Sequence, residues 1–188
     1  AIFNFDEFTT DDKVKISLAE AEKTYSTLVS NLPGFIYRCA NDKDWTMEFI
    51  SEGCREITGY DPEDFINNRT VSFNDIINPD VQQQIRKHWQ MILKNKKYFE
   101  FEYPIITKNN ITKWVWERGR GIYSSKGKLL YLEGFITDIT NRKSYESEIQ
   151  KNQERMQLLV EGTPHLFFYV QNLDGMVEYI SPSINNIT

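Results

Sequence analysis

Two cysteines and two histidines in 188 residues leave little material for metal binding or redox chemistry. Cys39 and Cys54 are too few for a disulfide framework, and no Cys-x-x-Cys or Cys/His cluster occurs. They read as reduced, space-filling thiols, which points to a reducing, cytoplasmic compartment. Basic charge is also short: 22 Lys and Arg stand against 27 Asp and Glu, a net charge of −5. That balance argues against a nucleic-acid partner, because binding phosphates requires a basic surface. No run of about 18 apolar residues is present, so no membrane span is expected. Asp6, Glu7, Asp11 and Asp12 stand where a signal peptide would carry basic residues, so none is expected. No nucleophile–base pair, metal cluster or phosphate loop stands out, and the chain is not expected to be an enzyme. The separated carboxylates Glu48, Glu100 and Glu102 read as charges on strand surfaces.

What is present is an ordinary globular composition, 40% hydrophobic and 26% charged, together with a long internal repeat. Leu28, Val29 and Pro33 are answered by Leu159, Val160 and Pro164, each 131 positions later. After a one-residue slip, Glu48 to Ser51 is answered by Glu178 to Ser181, and Ile57-Thr58 by Ile187-Thr188. A period this long is a domain plus a linker. The expected organisation is a helical linker over 1–27, a complete domain over 28–141, a signalling helix over 142–158, and the opening of a second domain over 159–188. The approach to each domain repeats too. Val14, Leu18, Ala21, Tyr25 and Leu28 are spaced by fours and threes, as are Tyr145, Ile149, Asn152, Met156 and Leu159. Such spacing places each set on one helical seam. Either the seams pair two chains into a homodimer, or each packs on its own domain. Thr9 or Thr10 with Asp11 and Asp12 makes a good start for the first helix.

Within the complete domain, Pro33-Gly34 breaks the chain, Phe35 to Cys39 reads as a strand, and Thr46 to Ser51 as a second. Short helices follow, one opening at Asp61-Pro62-Glu63-Asp64. Asn78-Pro79-Asp80 opens the longest, whose stripe is Val81, Ile85, Trp89 (or His88), Ile92 and Leu93. Strands over Tyr98–Thr107 and Ile111–Tyr123 flank a Lys108-Asn109-Asn110 turn, and Lys126-Gly127 leads into a last strand to Ile139. The order predicts an α+β domain: a five-stranded antiparallel sheet, helices on one face, a small cavity between. A turn at Asn109 puts Phe99, Phe101, Tyr103 and Val115 on the inner face. It puts Glu100, Glu102, Trp114, Trp116 and Arg118 on the outer, with an exposed Glu100–Arg118 ion pair.

This order resembles the PAS fold. The matching residues are Gly59-Tyr60-Asp61-Pro62-Glu63-Asp64, Phe99 to Tyr103, Trp114 to Gly119, and Gly134 to Thr140 followed by Arg142-Lys143. The resemblance covers 28–141 and, in part, 159–188. It implies a tandem sensory region of a prokaryotic signalling protein, such as a histidine kinase or cyclic-dinucleotide enzyme. The catalytic output domain would then lie outside this chain. The alternative is a ligand-free interaction or dimerisation module.

Pocket candidates are Tyr37, Ile85, Trp89, Phe99, Phe101 and Val115. The resemblance implies that Asp138 ties the sheet to the exit helix. With Thr140, Ile149 and Met156 it makes up the expected relay; a plain helix cap is the other reading of Asp138 and Thr140. The expected ligand is a small metabolite or none. A non-covalent flavin stays open. Haem is disfavoured, because His88 falls about one turn from the family's ligating position, nearer Ile85, and Trp89 would crowd a macrocycle. His165 is the only other histidine. Cys54-Arg55-Glu56-Ile57 superficially resembles the reactive motif of flavin photosensors but lies in an earlier helix, so photochemistry there is not expected. An unpaired second domain would expose strand edges, and Phe167–Ile180 is expected to pack on another chain.

Overall fold

A computed structural model describes residues 10–161, 167 and 169–180 of the chain, with side chains for 14–158, 167 and 169–180. The chain divides between Thr140 and Asn141 into two units. The first begins with helix α1 (Thr10–Ser30), followed by strands β1 (Phe35–Cys39) and β2 (Met47–Ile50). Four helices come next, α2 (Cys54–Thr58), α3 (Pro62–Phe65), α4 (Phe73–Ile76) and α5 (Pro79–Lys94). Strands β3 (Phe99–Ile106), β4 (Thr112–Tyr123) and β5 (Leu129–Asp138) complete it. The second unit holds most of helix α6 (Thr140–Glu161) and a two-stranded sheet of β6 (Tyr169–Gln171) and β7 (Val177–Ile180).

Local chemistry sets the helix starts as anticipated. The side chain of Asp64 accepts from the Asp61 N–H at 3.2 Å, with Pro62 in the first turn of α3. Asn78 caps α5 by accepting from the Asp80 N–H at 3.0 Å. The residues Thr9, Asp11 and Asp12 of the proposed α1 cap lie outside the described residues or side chains.

The five strands form one antiparallel sheet in the order β2-β1-β5-β4-β3. Alternation along each strand turns Phe35, Tyr37 and Cys39 of β1, Phe99 and Tyr103 of β3, Val115 of β4, and Leu132 and Ile136 of β5 inward. The helices close over them with Cys54, Ile57, Phe65, Phe73, Ile76, Ile85, Trp89 and Leu93, all buried. This is one layer of helices on one sheet face around one core. The β3–β4 register pairs Glu100 with Arg118, as the turn position predicts. The expected ion pair between them is not what forms. Glu100 accepts from the Trp116 indole at 3.0 Å, and the Arg118 guanidinium lies over the Tyr98 ring at 5.4 Å. The aromatic neighbours on that face compete better for both groups than an exposed pair would. Phe101 also departs from expectation: it is half-buried, at the rim of the core.

The helical seams are exposed. Val14, Leu18, Tyr25 and Leu28 of α1 are all more than half exposed, with Tyr25 also bordering a groove on the outer sheet face. Tyr145, Ile149 and Met156 of α6 are exposed as well.

In the second unit, the β6–β7 hairpin repeats the pairing of β1–β2. Tyr37↔Ile50, Arg38↔Phe49 and Cys39↔Met47 carry a bulge between Arg38 and Cys39. Tyr169↔Ile180, Val170↔Tyr179 and Gln171↔Val177 carry one between Val170 and Gln171. The turns match too. Asp42 accepts from the N–H groups of Asp44 and Thr46 at 3.1 and 3.0 Å, and Asn172 from those of Asp174 and Met176 at 3.0 and 2.9 Å. Both are side-chain turns of the Asx kind, in which a short polar side chain substitutes for a backbone acceptor. The repeat positions at Leu159, Val160, Pro164, Ser181, Ile187 and Thr188 fall outside the described side chains, as does His165.

Candidate functional site

The centre of the core is polar. Glu117 of β4 is 1% exposed, and both of its carboxylate oxygens accept hydrogen bonds from buried tyrosines. The Tyr103 hydroxyl donates at 2.7 Å, and the Tyr37 hydroxyl donates to the other oxygen. Cys39 lies close enough to feel the carboxylate charge. Burial pushes the Glu117 carboxyl up to about 7, against the two tyrosine hydrogen bonds, which favour ionisation. Burial, then the Glu117 charge, pushes both tyrosine hydroxyls well above their ordinary range.

Two glycines make room for this arrangement. Gly119 and Gly134 are direct cross-strand partners, Tyr37 is paired with Gly134, and Phe99 with Gly119. All four positions face inward in a single row across the sheet. A Cβ on Gly134 would stand 2.6 Å from the Tyr37 hydroxyl and 2.8 Å from its ring. A Cβ on Gly119 would stand 2.7 Å from the Phe99 ring edge and 2.8 Å from the Glu133 carbonyl. The two rings thus lie on bare backbone, which is how Tyr37 reaches Glu117. Gly134→Ala is expected to displace Tyr37, leave Glu117 one donor short and destabilise the domain by about 1–3 kcal/mol. Urea unfolding checks this, and an unchanged midpoint would remove the glycine floor from the account.

All six sequence-predicted pocket residues border this core. Tyr37, Ile85, Trp89, Phe99 and Val115 are buried, and Phe101 lies at the rim with its ring tilted against His88, centroids 5.1 Å apart. Trp89 packs on Trp45 at 4.2 Å and Phe99 at 4.9 Å, yet its buried indole N–H has no hydrogen-bond partner among the described residues. Where a small cavity was expected, Tyr37, Tyr103 and Phe99 occupy the centre. A groove of about 770 Å³ lies instead on the outer sheet face, bordered by Tyr25, Ile36, Trp116, Arg118 and Phe135. Both cysteines are buried packing residues. Burial pushes the Cys54 thiol up to about 12, which removes it as a nucleophile at neutral pH.

Reading carboxylates such as Glu48, Glu100 and Glu102 as strand-surface charges gives no hint that Glu117 points inward. Parity carries the signal: if Val115 points inward, so must Glu117 and Gly119.

The exit of the sheet is tied to the same strand. Asp138 accepts from the Thr140 N–H at 2.8 Å and pairs with the Lys113 ammonium at 3.1 Å. Lys113 also donates to the Glu56 carbonyl at 3.0 Å, joining α2 to the knot. Thr140 accepts from the Trp114 N–H at 3.0 Å, and the Ile139 N–H donates to the Trp114 carbonyl at 2.8 Å. Burial raises the Asp138 carboxyl, but the Thr140 hydrogen bonds and the Lys113 charge outweigh it and hold it below its ordinary range. Asp138 is therefore both a tether to β4 and a partner of the first α6 residue. The other two predicted relay residues, Ile149 and Met156, sit on the exposed α6 stripe.

Residues 47–136 match the family model described as the PAS fold. This segment is a PAS domain. Among known proteins, the methyl sulfide methyltransferase-associated sensor of Methanosarcina acetivorans is 26% identical over 165 residues. The match covers 86% of this chain and 16% of that protein, so the chain spans about a sixth of this relative's length. A sensory box histidine kinase/response regulator from Burkholderia thailandensis E264 superposes with a TM-score of 0.58 at 21% identity, covering 71% of this chain and 97% of that one. The PAS domain of a Colwellia psychrerythraea protein gives 0.55 at 17% identity, covering 64% and 98%. At these identities the two structures speak to the PAS fold alone.

Proposed function

We propose that the chain is a sensory region of a prokaryotic signal-transduction protein, in which the PAS core receives a small ligand and β4 carries the response to the exit helix. The observation that supports this reading most is the placement of two clusters on one strand. Glu117 lies at the buried polar centre, while Lys113 and Trp114, a few residues earlier on β4, hold Asp138 and Thr140. A shift of β4 at Glu117 would therefore be felt at the first turn of α6. Packed elements tend to have discrete arrangements, so such a shift acts as a switch. Output chemistry belongs to a domain outside this chain. The matching hairpin bulges and turns support a second PAS module opening after α6, in which Phe167 and 169–180 would pack against the rest of that module or another chain. The exposed stripes of α1 and α6 fit a homodimer through the flanking helices. They also favour the rival reading, a ligand-free interaction module.

Native mass spectrometry on protein purified without refolding separates the two. Excess mass on the folded chain is the result expected of a ligand sensor; bare mass in a stable dimer would favour the interaction module. The relay has its own test. Asp138→Ala is expected to abolish regulated output in a full-length reporter while changing stability by less than about 1 kcal/mol, since this ion pair is a third exposed. Normal regulation by the variant would remove Asp138 from the relay.

A further inference from the structure

Among the described residues, the hydrogen bonds of Glu117 come from the Tyr37 and Tyr103 hydroxyls alone, and no cation reaches it. The other titratable groups around it are few. Cys39 of β1 is a buried thiol, and β5 turns inward only Leu132, Gly134 and Ile136. The helices over the core bury no charged side chain, Cys54 and Thr58 being their polar contributions. His88 of α5 stands at the rim, against the Phe101 ring whose residue is paired with Glu117. A carboxyl buried among neutral groups holds its proton more readily than one in water. That proton decides how β1, β3 and β4 are joined. An ionised Glu117 accepts from both tyrosines and ties their strands to β4 by two charge-assisted hydrogen bonds. A protonated Glu117 has an O–H of its own to place, and the tyrosine oxygens are the acceptors at hand. One bond then reverses, and both become neutral bonds of about half the strength. Tyr37, Phe99 and Tyr103 fill the centre of the core, which is no bar to a proton.

We propose that the PAS core is a proton switch, in which loss of the Glu117 proton to solvent fixes Tyr37 and Tyr103 as paired donors and, through β4, alters the hold of Trp114 on the first turn of α6. This goes beyond a ligand as the input and shares with that reading only the path along β4. The path is short: Trp114 lies on the same strand, its N–H donates to Thr140, and its carbonyl accepts from Ile139. Burial sets the Glu117 midpoint at about 7, so small changes of pH around neutrality shift the two forms.

The test is a nitrogen-15 NMR titration of the whole chain through neutrality, following the backbone amides of Trp114, Ile139 and Thr140 beside the Glu117 carboxyl carbon. The amides are expected to shift along one curve with the Glu117 midpoint, and to stay level in E117Q. Tyr37→Phe and Tyr103→Phe each remove a donor that favours ionisation. Each is expected to raise the shared midpoint by about one pH unit, a tenfold gain in proton affinity that a purely packing role would not produce. An amide titration that persists in E117Q would assign it to another group, His88 first, and overturn the proposal. A Glu117 midpoint near 4.5 would overturn the proposal alone, leaving the path along β4 to the Asp138→Ala test. Titration of Glu117 near 7 with the three amides unmoved would overturn the proposal and the β4 path together. The comparison of midpoints within the native chain decides even if a variant folds poorly.

Discussion

Between about pH 5 and pH 8 the protein is expected to lose about 2–3 kcal/mol of folding stability, with Glu117 as the source. The direction follows from the buried carboxyl. Its folded value is raised from 4.5 to about 7, so between those values the folded protein holds a proton that the unfolded chain has released. Stability from this group is full below about 4.5 and is lost as pH rises through about 7. The groups shifted the other way act elsewhere. Asp42, Asp64 and Asp138 are held below their ordinary 3.8 and contribute stability that is lost only as pH falls through that region. The raised hydroxyls of Tyr37 and Tyr103 and the thiol of Cys39 titrate above the window. Urea midpoints measured across this range should therefore fall with pH in the wild type and stay nearly level in Glu117→Gln. A variant as pH-dependent as its parent would place the effect in some other group.

Trp89→Ala is expected to cost about 3–5 kcal/mol, the largest effect of any single substitution considered and enough to unfold a marginal domain. The indole fills the space between Trp45 and Phe99 at 2% exposure, and its removal leaves a cavity walled by rings that cannot follow it inward. Trp89→Phe separates packing from polarity. It keeps most of the contact and removes the buried N–H that lacks an acceptor, so it should cost less than about 1.5 kcal/mol. If Phe proves as damaging as Ala, the N–H has a partner that matters to folding. Denaturant unfolding of both variants decides it, since equal slopes would show that only stability had changed.

Which parts were legible from the sequence follows from the range of the interactions involved. The β3–β4 hairpin was readable to the residue because a short turn at Lys108–Asn110 fixes register, and register fixes the face of every side chain. The α5 stripe was readable because Ile85, Trp89 and Leu93 recur at helical spacing. Glu117 was harder. Residue type argues for the surface, parity for the core, and only the converging hydroxyls of Tyr37 and Tyr103, 80 and 14 positions away, explain why parity wins. The role of Gly119 and Gly134 was not legible at all. Their pairing depends on β5 inserting between β1 and β4, a long-range arrangement that no local pattern encodes. The Glu100–Arg118 ion pair failed for a related reason: the strand register was right, but Trp116 and Tyr98 supply better partners on the same face.

The most direct test of the buried polar centre is a pH titration of the Glu117 side-chain carboxyl by carbon-13 NMR, assigned by its disappearance in Glu117→Gln. A midpoint near 7, with the tyrosine hydroxyls still protonated, is the predicted result. A midpoint near the ordinary 4.5 would mean that the carboxylate is already compensated or solvated, and the account of a buried, protonated carboxyl at the centre of the core would be wrong.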